Sequence, residues 1–219
     1  MWLIVCKYII YFIIYSVIGW IIEVLVKLFQ EKRFINRGFL IGPVCPIYGW
    51  GVLLIVSLIH GDDILSVFLK SIFICSILEY TTSFVMEKIY KVRWWDYSNK
   101  RFNINGRICL ETMIPFGIMG SIVILYVHPF ISKTINNLSH NTIVTIAIFL
   151  SVLYLIDNLI SFNVMHRIKG EIKKVHSDST EVIRKKITRK LKNNVFVQHI
   201  INAFPKFRII KNFKERKKE

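Results

Sequence analysis

Residues 39–59 read FLIGPVCPIYGWGVLLIVSLI, twenty-one residues without one charged side chain. That length matches the roughly 20 residues that cross a bilayer. Working outward, four more apolar runs can be drawn: Trp2–Phe29, Ile64–Met86 with Lys70 and Glu79 inside it, Thr112–Ile131, and Ile143–Met165 with Asp157 inside it. Such β-branched runs could be buried strands. Their length and spacing favour helices, because lipid admits only helices and closed barrels. The expected fold class is all-α: a polytopic integral membrane protein with five transmembrane helices over residues 1–166, then a basic cytoplasmic tail over 167–219. A hydrophobic share of 53%, with 16 Phe, is more apolar mass than a soluble chain of 219 residues needs. The first run has no small-residue cleavage site behind it and ends at Glu23 and Lys27. It reads as a retained helix rather than a cleaved signal.

The formal charge of +16 is unevenly placed. The loop after the first run holds Lys32, Arg33 and Arg37, and the loop after the second holds no Lys or Arg. The third loop holds Lys88, Lys91, Arg93, Lys100, Arg101 and Arg107, the fourth only Lys133, and residues 167–219 hold 17. Basic residues stay on the cytoplasmic side. The alternation predicts a multi-pass cell-membrane topology with the N-terminus outside and the first loop, third loop and C-terminus inside.

The two basic loops also align at an offset of 68. Arg33 and Phe34 match Arg101 and Phe102, Gly38 matches Gly106, and Tyr48 and Gly49 match Phe116 and Gly117. Two readings stay open: a parallel duplication of a helical hairpin, as in some transporters, or chance similarity between two in-facing hairpins.

The polar residues near the inner boundary form a candidate cluster. Glu23 shares a helical face with Ser16, Gly19 and Trp20, and Glu79 shares one with Ser83 and Glu87. A carboxylate at membrane depth is costly unless paired or wet, so two readings of Glu79 stay open: unpaired, it would be protonated; paired with Arg37, Arg93 or Arg107, it would stay charged and pin the bundle. Glu87, beside Lys88, reads as an ordinary surface charge. Trp94, Trp95 and Tyr97 suit an interfacial aromatic belt, and Asp96 among them suits a charge-assisted lock to Arg93 or Arg107. Gly38, Gly42, Pro43, Pro46 and Gly49 deny a regular helix ahead of the second run. They suit either a broken segment around a cytoplasmic-facing cavity or a tight turn that starts a helix at Pro46. Asp157 and Asn158 either join the cluster from a fifth helix or pair locally. Cys45 and Cys109 have no His in their loops, and with Cys6 and Cys75 they form no C-x-x-C pair. They read as structural, with no metal site, no cofactor and no catalytic nucleophile expected.

In the tail, Ile183, Ile187, Leu191 and Val195 form an apolar stripe among basic residues, after a capping Ser179-Thr180. This is a basic amphipathic helix suited to the anionic inner leaflet, and lipid beside a membrane is a simpler partner than nucleic acid.

Several strings are long and unusual: GW-x-x-E at Gly19–Glu23, NRGFL-x-GP-x-CPIYG at Asn36–Gly49, MEK-x-Y at Met86–Tyr90, RWWDYS at Arg93–Ser98 and FN-x-x-GRICLE at Phe102–Glu111. Together they resemble the ABC-transporter type IV family, bacterial multi-span membrane proteins assigned as ABC transporter permeases. The resemblance covers about residues 16–130, adds Tyr48, Asn103 and Glu111 to the candidate cluster, and implies transport. No G-x-x-x-x-G-K-[ST] loop is present. A permease of this kind takes its ATPase from a separate subunit, and so few spans imply a homodimer. The alternative is an inner-leaflet enzyme or scaffold acting on lipid headgroups or envelope precursors.

Overall fold

The computed structural model describes residues 1–60, 63–174, 195–204 and 208–209. Among the described residues, four helices are long and apolar enough to cross a membrane: α1 (Trp2–Glu31), α3 (Ile64–Tyr90), the continuous rod Leu110–Asn136, and α6 (His140–Lys174). The rod consists of α4 (Leu110–Ile122), a π turn (Val123–Val127) and α5 (His128–Asn136). Pro129, in the first turn of α5, lacks an N–H and would press its ring on the preceding turn. The π turn widens the helix just before it.

The fifth apolar run departs from the expected Phe39–Ile59 helix. Only α2 (Pro46–Leu58) is helical there. Its 13 residues rise about 20 Å, short of the roughly 30 Å hydrocarbon core. Gly38, at φ 124°, and Pro43 keep residues 32–45 out of helical geometry. The expected count of five full-length spans is therefore four long helices and one short one.

The elements share two ends. Cys6 and Ile10 of α1, Ile135 of α5 and Ile143 of α6 pack together at one end, with Val52 and Leu53 of α2 against them. At the other end Tyr90 and Trp94 pack with Val164, Met165 and Ile168 of α6. Five segments thus run between the ends, α2 completing its pass through the non-helical residues before it.

Burial is inverted relative to a soluble bundle. The buried face of α3 carries Ser76, Glu79, Ser83, Glu87 and Tyr90, while Leu69, Phe73, Ile77, Val85 and Ile89 face outward. Phe149, Leu155 and Leu159 of α6 are likewise exposed. Such an apolar exterior belongs in lipid, and the chain is a multi-pass membrane protein.

The hairpins α1–α2 and α3–α4 pack alike. A Cβ on Gly49 would collide with Phe12 and Ser16 of α1, and one on Gly117 with Phe68 and Ile72 of α3. Gly49 and Gly117 keep the offset of 68, but Phe12 and Ser16 relate to Phe68 and Ile72 at an offset of 56. One offset does not relate the hairpins throughout: Ser16 to Gly49 is 33 positions and Ile72 to Gly117 is 45, a difference of 12 shared between a longer second connection and longer helical stretches on either side of it.

The predicted amphipathic helix over 179–195 lies almost wholly outside the described residues. Beyond it, α7 (Val195–Ala203) folds back so that Val197 and Ile200 join Trp94, Tyr90 and Met165. Among the described residues there are also four short strands. β1 (Val92–Arg93) pairs antiparallel with β4 (Arg208–Ile209), and β2 (Asn103–Ile104) pairs with β3 (Ile108–Cys109).

Candidate functional site: a cavity between two hairpins

The non-helical segment 32–45 reaches deep into the bundle. The Cys45 N–H donates to the carbonyl of Ser16 at 2.9 Å, about 22 Å along α1 from Glu31. Backbone groups at that depth need protein partners, and side chains from other elements supply them. Asp157 of α6 accepts from the backbone N–H groups of Ile41 and Gly42, both at 3.0 Å. Trp20 Nε1 donates to Asn36 Oδ1 at 2.6 Å, and Asn36 Nδ2 donates to the Ile41 carbonyl at 2.9 Å. His199 of α7 meets the Leu40 carbonyl at 3.1 Å. Asp157 is thus a backbone clasp, and the Cys45 thiol points at the Arg37 carbonyl, a structural contact.

Loop 91–109 is folded just as firmly. Glu87 is fully buried and its Oε2 accepts from Arg93 Nε at 2.9 Å and Arg107 Nη1 at 3.1 Å. The reading of Glu87 as a surface charge is therefore corrected. Arg93 also holds Asp96 at 3.2 Å, as expected, and Arg107 reaches Ser83 Oγ and lies over Phe84. Burial raises the Asp96 carboxyl, but hydrogen bonds from Ser98 and the Arg93 charge more than offset it and leave it below its ordinary range. Gly106, at φ 64°, passes so close to Ser98, Asp96 and Arg93 that no Cβ fits. Asn103 ties the loop internally, accepting from the Gly106 N–H at 2.9 Å and donating to the Lys100 carbonyl at 2.7 Å. Trp95 Nε1 donates to the Arg107 carbonyl at 3.1 Å. Trp94 is buried against Phe39 and Phe204 rather than lying in an interfacial belt. Glu111 does not join the cluster. It pairs with Lys100 at 2.7 Å on the surface.

Between these two plugs and the helices lies a cavity of about 450 Å³. Its walls are mostly apolar and aromatic, including Met86, Tyr90, Trp94, Phe116, Met119, Tyr154 and Phe162. Its polar groups are few. Glu23 accepts from the Tyr48 hydroxyl at 2.8 Å and pairs with Arg37 Nε at 3.4 Å. Arg37 in turn donates to the Ala203 carbonyl at the end of α7 and lies over the Phe204 ring. Glu79 accepts from the Tyr97 hydroxyl at 3.3 Å and from Thr112 at 3.5 Å. Burial, followed by the Glu79 charge, holds the Tyr97 phenol well above its ordinary value.

The paired reading of Glu79 is not met: no Arg or Lys among the described residues pairs with it. Arg93 and Arg107 are engaged by Glu87, and Arg37 by Glu23. Glu23 and Glu79 occupy matching places, 56 residues apart on the first helix of each hairpin. Each accepts from the second helix of its own hairpin, at Tyr48 or Thr112.

A sequence model of the family described as "Putative ABC-transporter type IV" matches residues 10–162. The chain belongs to that family. The matched region takes in both plugs and most of the cavity wall, while α7 and Phe204 lie beyond it. No curated protein and no solved structure matches the chain.

The sequence reading missed Glu87, Thr112, Phe116, Phe162 and the whole contribution of α7. Glu87 had a signal, its i+4 spacing from Ser83 and i+8 from Glu79 on one helical face. For His199 and Phe204 the sequence offers none, since nothing local says where a tail folds back.

Proposed function

We propose that this chain is the permease-like membrane component of an ABC-type transporter. Its substrate site is the cavity between the two hairpins, and its N-terminus lies outside and its C-terminus in the cytoplasm. The observation that carries this reading is the cavity itself. It is walled partly by non-helical backbone at membrane depth, an arrangement found where a pathway or binding site must be lined. The two basic loops lie at the end where that cavity meets Arg37 and Phe204. With no phosphate-binding loop in the sequence, ATP hydrolysis belongs to another chain. Loop 91–109 is the rigid coupling surface, and Phe102, 78% exposed at its tip with φ 51°, is the anchor it offers.

The test is affinity purification of the full chain in mild detergent, with cross-linking from a cysteine placed at Phe102. The expected result is a P-loop ATPase cross-linked at that position. Recovery of a lipid-modifying or envelope-synthesis enzyme instead, with no ATPase, would favour an inner-leaflet scaffold.

A further inference from the structure

The cavity is unequal in charge. Glu23 and Arg37 neutralise each other across 3.4 Å. Glu79, 7% exposed, faces the same space with two long hydroxyl contacts and no counter-ion among the described residues. A carboxylate so placed in low-dielectric surroundings calls for a positive partner. The rest of the wall is largely apolar and includes the aromatic residues Tyr48, Tyr97, Phe116 and Phe162, with the Tyr97 hydroxyl on the carboxylate itself. Aromatic faces attract cations, most strongly where water is excluded. A volume of about 450 Å³ suits an organic molecule rather than a bare ion.

From these features we infer that the cavity binds an amphipathic organic monocation, its charge at Glu79 and its apolar body against the aromatic wall. This rests on the cavity being the substrate site. The Glu23–Arg37 pair keeps the net demand at one positive charge. It also disfavours anions, because Arg37 is already engaged by Glu23 and the Ala203 carbonyl. A second protonated group on the ligand would find no free carboxylate here among the described residues.

The full chain, purified in a non-ionic detergent at pH 7, is titrated with tetraphenylphosphonium and with tetraphenylborate. These are a cation and an anion of the same size and shape. Binding is read by equilibrium dialysis against protein-free micelles. The expected result is one saturable phosphonium site, at least about tenfold tighter than for the borate. Glu79→Gln is expected to lose at least about tenfold in phosphonium affinity with an unchanged melting temperature, while the exposed Glu111→Gln binds as wild type. Equal affinity for both ions, or an unchanged Glu79→Gln, overturns the inference. A third probe, the neutral dye N-phenyl-1-naphthylamine, separates the two ways of failing. Saturable dye binding without preference for the cation removes the charge assignment and leaves the cavity reading standing. No saturable binding of any probe removes both. The wild-type comparison of the two ions decides the matter even if Glu79→Gln fails to fold.

Discussion

Glu87 holds two guanidinium groups in a place closed to solvent, and that makes it the residue on which loop 91–109 depends. Neutralising it leaves Arg107, 3% exposed, beside a partner that no longer carries charge, and Arg93, 4% exposed, with Asp96 as its remaining acidic partner. Breaking a buried pair from one side costs about 3–5 kcal/mol. Glu87→Gln is therefore expected to lower the melting temperature in detergent sharply and to reduce the yield of folded protein. Glu111→Gln, whose pair with Lys100 is exposed, is expected to melt as wild type. A Glu87→Gln protein as stable as wild type would show that the arginines find other partners. The sequence pointed to the right face of α3 and the right arginines but assigned the arginines to Glu79. From sequence alone Glu79 looks deeper and Glu87 sits beside Lys88. What reverses this is the loop folding back over the helix end, which covers Glu87 and leaves Glu79 facing open space.

The elements that depart from their sequence pattern are those held by distant partners. Residues 38–45 are as apolar as a transmembrane helix, yet they are a series of bends without helix, and Asp157, Ser16 and His199 take up their backbone groups. The Gly and Pro content signalled the break. Its depth depended on contacts between 29 positions apart, at Cys45 and Ser16, and 159 apart, at Leu40 and His199, which no local pattern encodes. The same contacts make the docking of α7 sensitive to acid. Burial lowers the His199 pKa, opposed by its hydrogen bond to the Leu40 carbonyl and by nearby Asp157. The undocked imidazole keeps its ordinary pKa of about 6.5, so it takes up a proton that the docked ring resists. Docking is thus fully favoured above that value and weakens as pH falls below it. Iodide quenching of Trp94 fluorescence, taken as the difference between wild type and Trp94→Phe, should rise between about pH 7 and pH 5. It should approach the level seen when residues 195–219 are removed. In His199→Gln the rise should vanish. Quenching that stays flat with pH in wild type would show that α7 docks independently of His199.

At the scale of the whole molecule, two hairpins and a fifth helix place the described connections at two ends, and the basic residues are divided between those ends very unequally. The N-terminus, residues 59–60 and residues 137–139 share one end, where the basic residues include Lys7, hydrogen-bonded to Asn136, and Lys133. The other end receives Lys32, Arg33 and Arg37, the six basic residues of the third connection, and Arg167 and Lys169 of α6. This partition is legible in the sequence alone, because charge along the chain survives errors in helix boundaries that blur the span count. The shortness of α2 does not disturb it, since the non-helical residues before α2 complete the pass. Basic residues are retained on the cytoplasmic side, so cysteine placed at Asn137 should react with an impermeant maleimide in intact cells. Cysteine at Asn99 should react only after permeabilisation. The native thiols offer little competition: Cys6, Cys45 and Cys109 are buried and Cys75 lines the cavity. Labelling at Asn99 in intact cells would invert the molecule. It would turn the side of the cavity that carries Arg37 and Phe204 outward and overturn the proposed coupling through loop 91–109.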